Sequence, residues 1–186
     1  MVERTGTSPA LRTVLREETA QDHDRLDRSL GVLAFGGQAD YARFLAIQHA
    51  ARIEIERWLE RMLGAHGRMP VMAPLIAADL DALGQPLPMP LAWQPPQECD
   101  PIGAQWVLAG SSMGNRAILA QRRKLGLQGP DTFLSDTSMP EFFRTLLPAL
   151  AEPVQDEDNV APVSAARAVF KHFLRAAEIE PERRAA

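Results

Sequence analysis

Leu11-Arg12-Thr13-Val14-Leu15-Arg16-Glu17-Glu18-Thr19-Ala20-Gln21-Asp22-His23-Asp24-Arg25-Leu26-Asp27-Arg28-Ser29-Leu30 places Leu11, Leu15, Thr19, His23, Leu26 and Leu30 at successive steps of three or four residues. Such spacing returns a side chain to the same face on each turn, so the stretch reads as an amphipathic helix. Ser8-Pro9 stands ahead of it, a serine able to cap followed by a proline whose missing N–H costs nothing in a first turn. The stripe contains a histidine, and the spacing turns that imidazole inward among apolar neighbours.

The same rhythm recurs downstream. After the break at Gly36-Gly37, a second helix starts near Asp40 and presents Tyr41, Phe44, Leu45, Gln48, Ala51, Ile55, Trp58, Leu59 and Met62, fading at Gly64 and Gly67. A shorter third helix lies around 75–83, stopped by Gly84. Residues 84–101 hold Pro86, Pro88, Pro90, Pro95, Pro96 and Pro101 and read as an extended connector. Asp100-Pro101 then opens a fourth helix that reaches Leu125, with Gly126 as terminator. Ser138-Met139-Pro140-Glu141 is a capping box for a fifth helix that buries Phe142, Phe143, Leu146 and Leu150, and Pro148 should kink or shorten it. After a polar turn at 156–162, a last helix presents Val163, Ala166, Val169, Phe170, Phe173, Leu174 and Ala177 and ends before Pro181.

Alanine (28) and leucine (22) dominate the 186 residues while aromatics make up 6%, a balance that favours helices over sheets. The expectation is an all-α, single-domain bundle of about six helices over residues 8–180, with flexible termini at 1–7 and 181–186. Neither side of the proline-rich connector has enough helices with one-sided apolar faces to stand alone.

Several function classes fall away. The single cysteine, Cys99, excludes an internal disulfide and any Cys-rich zinc or iron–sulfur site. A net charge of −4 gives no electrostatic case for nucleic acid. No apolar run approaches the roughly 20 residues that span a bilayer, and Met1-Val2-Glu3-Arg4-Thr5 lacks a signal-peptide core, so a cytoplasmic protein without a membrane is expected.

Two features remain unexplained by packing alone. The fourth helix contains Gly103 and the run Gly110-Ser111-Ser112-Met113-Gly114-Asn115, although each interior glycine costs about 1 kcal/mol against alanine. Gly110 and Gly114, four apart, leave a bare strip that suits either a helix packed unusually close or a flat ligand lying on the backbone. His23 is either a core histidine satisfied by a hydrogen bond or a neutral imidazole ligand. No other His, Cys or carboxylate stands at zinc-like spacing from it, whereas one inward histidine suits haem, whose porphyrin supplies four further nitrogens. Asp27, one turn on, either steers the imidazole or an ordered water or is a plain exposed helix charge. His66 lies at a helix end, His172 falls off the apolar face of the last helix, and His49 flanks the stripe of the second without an obvious partner.

The stretch from Leu15 to Asp27 resembles the first-helix motif of heme oxygenases, in which a basic residue, a threonine and the haem-ligating histidine recur at this spacing. Tyr41-Ala42-Arg43-Phe44-Leu45, Asp79-Leu80-Asp81-Ala82-Leu83-Gly84 and Ala168-Val169-Phe170-Lys171-His172-Phe173 continue the likeness. Trp106-Val107-Leu108-Ala109-Gly110-Ser111-Ser112-Met113-Gly114-Asn115 is similar to the distal-helix motif, especially of the bacterial members associated with phytochromes.

The resemblance implies His23 as the iron ligand, Arg16 as a propionate partner, and Thr19 and Asp27 beside them. It implies that Gly110 and Gly114 let the distal helix lie over the haem, with Ser111 and Ser112 bordering the oxygen side. The implied activity is oxidative cleavage of haem to biliverdin, carbon monoxide and iron, using O2 and electrons from an external reductase, ferredoxin or ascorbate. It implies haem and a redox protein as partners, with a product that feeds either a phytochrome, as a bilin, or iron supply; the interior apolar faces are sufficient for a monomer. The alternative is a non-catalytic haem- or bilin-binding protein of the same fold. Trp106, Ala109 and Asn115 stand where the related motif has tyrosine, glutamate and often glycine. Asn115 either donates a hydrogen bond to a bound ligand or crowds the ring.

Overall fold

A computed structural model describes residues 8–64 and 68–184, with side chains as far as Ile179. The described residues form six helices, α1 (Leu11–Ala34), α2 (Gln38–Leu63), α3 (Ala73–Ala82), α4 (Pro101–Lys124), α5 (Ser138–Ala151) and α6 (Val160–Arg184). Among the described residues the sole β feature is an isolated antiparallel bridge between Ala10 and Pro153. None of the helices is long and apolar enough to cross a membrane.

Helix α6 lies along α1, α2 and α4, while α5 closes against α4 and α1 and α3 packs on α2. The core at their junction holds Leu15, Tyr41, Phe44, Leu45, Ile55, Leu108, Val169 and Phe173, all buried. Burying such side chains is worth about 1.5–3 kcal/mol each, so most helical stability comes from these faces.

The helix starts follow different chemistry from the sequence expectation in two places. Helix α1 begins at Leu11 with Ala10 as its cap and no side-chain capping bond, so Ser8 does not cap it. Instead the entry strand is held by backbone: Leu11 N–H donates to Glu152 O at 3.0 Å and Val154 N–H to Pro9 O at 3.0 Å. At α5 the Ser138–Glu141 box does not form. Asp136 takes its role, accepting from Met139 N–H at 2.8 Å and from the Ser138 hydroxyl at 2.8 Å. A carboxylate satisfies an orphan first-turn N–H better than a hydroxyl does. Asp100 caps α4 as expected, accepting from Ile102 N–H at 2.9 Å.

Neither late proline ends its helix. Helix α5 continues through Pro148 to Ala151, and α6 continues past Pro181 to Arg184. Phe142, Phe143 and Leu146 are half-buried rather than buried, leaving Met139 and Leu150 as the buried residues of α5.

Polar anchors fix the connections. Buried Asp79 on α3 accepts from Thr132 N–H at 3.0 Å and Phe133 N–H at 2.9 Å, pinning the α4–α5 loop. Arg122 donates to Ala34 O at 2.6 Å at the C-terminus of α1, and its guanidinium lies 3.6 Å over the Tyr41 ring. A cation there satisfies an orphan carbonyl and opposes the helix dipole. The proline-rich connector is strapped across the bundle, with Leu91 N–H donating to Ala50 O at 2.9 Å and Trp93 seated between Trp58 and His172.

Candidate functional site

Helix α1 buries its ends and not its middle. Leu11, Val14, Leu15 and Thr19 are buried at the start and Leu30, Leu33 and Ala34 at the end, while no residue from Ala20 to Ser29 is. His23 stands in that gap with its side chain 57% exposed, so the expected inward, water-free imidazole is not what the fold provides. The apolar-spaced stripe is real, but α6 meets its centre only along one edge, at Phe170, and leaves no residue there buried.

The imidazole is nonetheless oriented. Its Nδ1 lies 3.3 Å from Asp27 Oδ2, and its ring meets Phe170 of α6 edge-on at 5.8 Å. A carboxylate on that side favours the tautomer protonated on Nδ1, which leaves the Nε2 lone pair for a ligand. One turn earlier, Arg167 of α6 grips Glu18 through its backbone oxygen at 3.0 Å and its carboxylate at 2.6 Å, holding α1 on α6 beside the gap. Arg16 is exposed on α1 and forms no ion pair among the described residues. Thr19 is buried and spends its hydroxyl proton on Leu15 O at 2.7 Å.

On α4 the glycines divide into distinct roles. A Cβ on Gly103 would drive into the Pro162 carbonyl, so that glycine exists for close packing of α4 on α6. One on Gly110 would touch the Phe143 ring at 3.8 Å, an ordinary contact. Gly114 has nothing within 4 Å of that position, so its backbone is bare. The single flat strip expected across Gly110 and Gly114 is therefore covered by α5 at one end and open at the other.

The helix also runs unbroken from Pro101 to Lys124. Ser111 and Ser112 instead donate to Leu108 O at 2.7 Å and Ala109 O at 2.6 Å, each hydroxyl turned back on its own helix. Ser112 is buried, Ser111 and Asn115 are half-buried, and Met113 is 61% exposed.

The residue that sequence reasoning missed is Arg52. It is fully buried in α2, where Nε donates to Gln48 Oε1 at 3.2 Å and Nη2 to Ser111 Oγ at 2.8 Å. The guanidinium lies over the Phe133 and Phe173 rings at 5.3 and 5.7 Å. Buried Glu56 sits 3.9 Å from Nη1 and accepts from Met72 N–H at 3.0 Å and Ala73 N–H at 3.1 Å. Burial lowers the Arg52 pKa and raises that of Glu56, and the pair's mutual attraction opposes both shifts. Nη1 itself has no hydrogen-bond partner, and the guanidinium borders a narrow recess shared with Ser111, Ser112, Asn115 and Asp136. The available signal was the polar row Gln48, Arg52, Glu56 at helical spacing through an otherwise apolar helix.

The remaining histidines divide as follows. His49 and His172 are both buried, against the expectation that His172 falls off the apolar face, because the strap of residues 84–100 covers that side of α6. Burial lowers the pKa of each. His66 lies outside the described residues. Among the described residues no group of three or more His, Cys, Asp or Glu is arranged to hold a metal ion, so His23 serves a metal only with ligands supplied from elsewhere, as a porphyrin would supply them.

Helices α1 and α4 thus rest on the shared support of α5 and α6, one offering an oriented, accessible imidazole and the other a bare glycine. No protein-family model matches the sequence, and no curated protein matches it. Among solved structures, the heme oxygenase from Neisseria meningitidis, studied with NO and CO bound, superposes with a TM-score of 0.69 over 92% of each chain at 18% identity. At that identity the likeness is one of architecture, and the chain has the six-helix, all-α fold of heme oxygenase.

Proposed function

We propose that this protein is a heme oxygenase that cleaves haem to biliverdin, carbon monoxide and iron. The observation that carries the reading is the His23–Asp27 pair, presented in the uncovered middle of α1 within a heme oxygenase fold. The residues present suit haem: Nε2 of His23 is free to ligate iron, Phe170 offers an apolar edge beside it, and Gly114 leaves open space on α4. Haem, when bound, supplies the iron that activates O2 and is also the molecule opened, with electrons from an external reductase, ferredoxin or ascorbate.

The chain's own residues then have limited tasks. Asp27, at ion-pair distance from Nδ1, favours the tautomer of His23 that leaves Nε2 for a ligand. Arg16, seven residues before His23 on the same side of α1 and free of a protein partner, pairs with a propionate. Ser111 and Ser112 have already donated their protons to carbonyls, so toward an ordered water they act as acceptors. Thr19, with its hydroxyl turned to Leu15 O, supports the helix rather than the ligand. The uncovered face of α1 becomes dry only when a large apolar ring lies on it.

The test is conversion. The hemin complex, supplied with ascorbate under O2, should lose its Soret absorption as a biliverdin band grows. Saturable binding with no conversion would instead support the alternative, a haem- or bilin-binding protein of this fold.

A further inference from the structure

A buried guanidinium is costly unless its donors are met, and Arg52 has partners on three sides, with Nη1 making an ion pair but no hydrogen bond. Gln48 and Glu56 flank it on its own helix, Phe133 and Phe173 cover its faces, and its remaining strong bond crosses to α4 at Ser111 Oγ, 2.8 Å away. Ser111, about one turn before Gly114, in turn donates to Leu108 O, so the charge is tied through that side chain to the backbone of α4. Behind it, Glu56 accepts from the first N–H groups of α3, which anchors the assembly to a second helix. The polar chain therefore runs from the start of α3, through α2, to the middle of α4.

Helix α4 needs such a tie there. The run from Gly110 to Asn115 is a poor helix former, and Gly114 and Met113 receive little packing from the rest of the molecule.

We propose that Arg52 is a positioning residue: its bond to Ser111 sets where the Gly110–Asn115 segment of α4 lies and how readily that segment opens. Its bearing on haem rests on the function proposed above, because that segment would form the face opposite His23. Its bearing on α4 does not.

The protein without ligand is tested first, by amide hydrogen exchange on wild type, S111A, R52M and R52K. S111A cuts the tie from α4's side and leaves the Arg52–Glu56 pair in place. Alanine is the better helix former, so propensity alone would slow exchange in this segment. The proposal expects the reverse, about tenfold faster exchange over residues 110–115 with α2 and α6 unchanged, the effect of losing one charge-assisted hydrogen bond. R52M should do the same and R52K should recover part of the protection, since an ammonium still donates to Ser111. Unchanged or slower exchange in S111A, or loosening spread evenly over all helices in R52M, would overturn the proposal.

The hemin complex gives the second readout. R52M should bind hemin within about threefold of wild type, because His23 is untouched, yet show a shifted ferric spectrum with an altered spin-state balance, partly restored in R52K. Spectra identical to wild type would overturn the link to the site. A wild-type protein that binds no hemin would defeat the proposed function and leave the exchange experiment to decide the role of Arg52.

Discussion

Acid should weaken this protein through His172, by an amount that follows from where the residue sits. Its ring is 7% exposed, edge-on to Trp93 at 5.2 Å, with a hydrogen bond to the Ala51 backbone and an Nε2 that has no partner. Burial, reinforced by the charge of Arg175 and opposed by the Ala51 bond, lowers its pKa from 6.5 to about 4. A histidine with a depressed folded pKa binds fewer protons folded than unfolded below 6.5, so its neutral burial stabilises fully above that pH and the contribution is lost as pH falls. Integrating over the interval gives a loss of about 2 kcal/mol by pH 5 and about 3 kcal/mol by pH 4. Burial lowers the His49 pKa in the same sense, whereas the raised carboxyl of Glu56 works in the opposite one. The diagnostic quantity is therefore the difference between wild type and H172N, whose amide can keep the bond to Ala51. Urea unfolding followed by circular dichroism at pH 7.5, 6 and 5 should show the variant losing about 2 kcal/mol less than wild type between the extremes. Parallel losses in the two proteins would refute the reasoning.

The glycines of α4 should respond in opposite directions. G103A forces a methyl into the Pro162 carbonyl and should cost about 2 kcal/mol or more in urea unfolding. G114A meets nothing and should stabilise the free protein by up to about 1 kcal/mol while weakening hemin affinity in a spectroscopic titration. D79N leaves the Thr132 and Phe133 N–H groups with one good acceptor in place of two and should cost about 2 kcal/mol, with exchange rising first in the α4–α5 loop.

Much of the architecture was legible because helix signals are local. Asp100-Pro101 marked the start of α4 and Gly126, at φ 70°, follows its end, since capping and left-handed backbone are decided by adjacent residues. Local chemistry misled where two capping candidates stood side by side, as when the carboxylate of Asp136 displaced the Ser138 box.

At the site, periodicity located the His23 face but not its exposure, because a stripe says which residues share a side and nothing about whether another helix lies on it. His172 failed in reverse: its burial is supplied by a connector 79 residues away at Trp93, beyond the reach of any local pattern. Arg52 was hidden by residue type, since arginine is seldom fully buried, and only the row with Gln48 and Glu56 hinted otherwise.

His23 as the holder of haem is the central requirement of the proposed function, and a hemin titration of wild type against H23A measures it directly. Wild type should form a saturable one-to-one complex with a Soret band that changes at alkaline pH. H23A should lose that ligation, with a shifted band and weaker binding. A wild-type protein that shows no saturable complex, or an H23A complex spectrally the same as wild type, would contradict it.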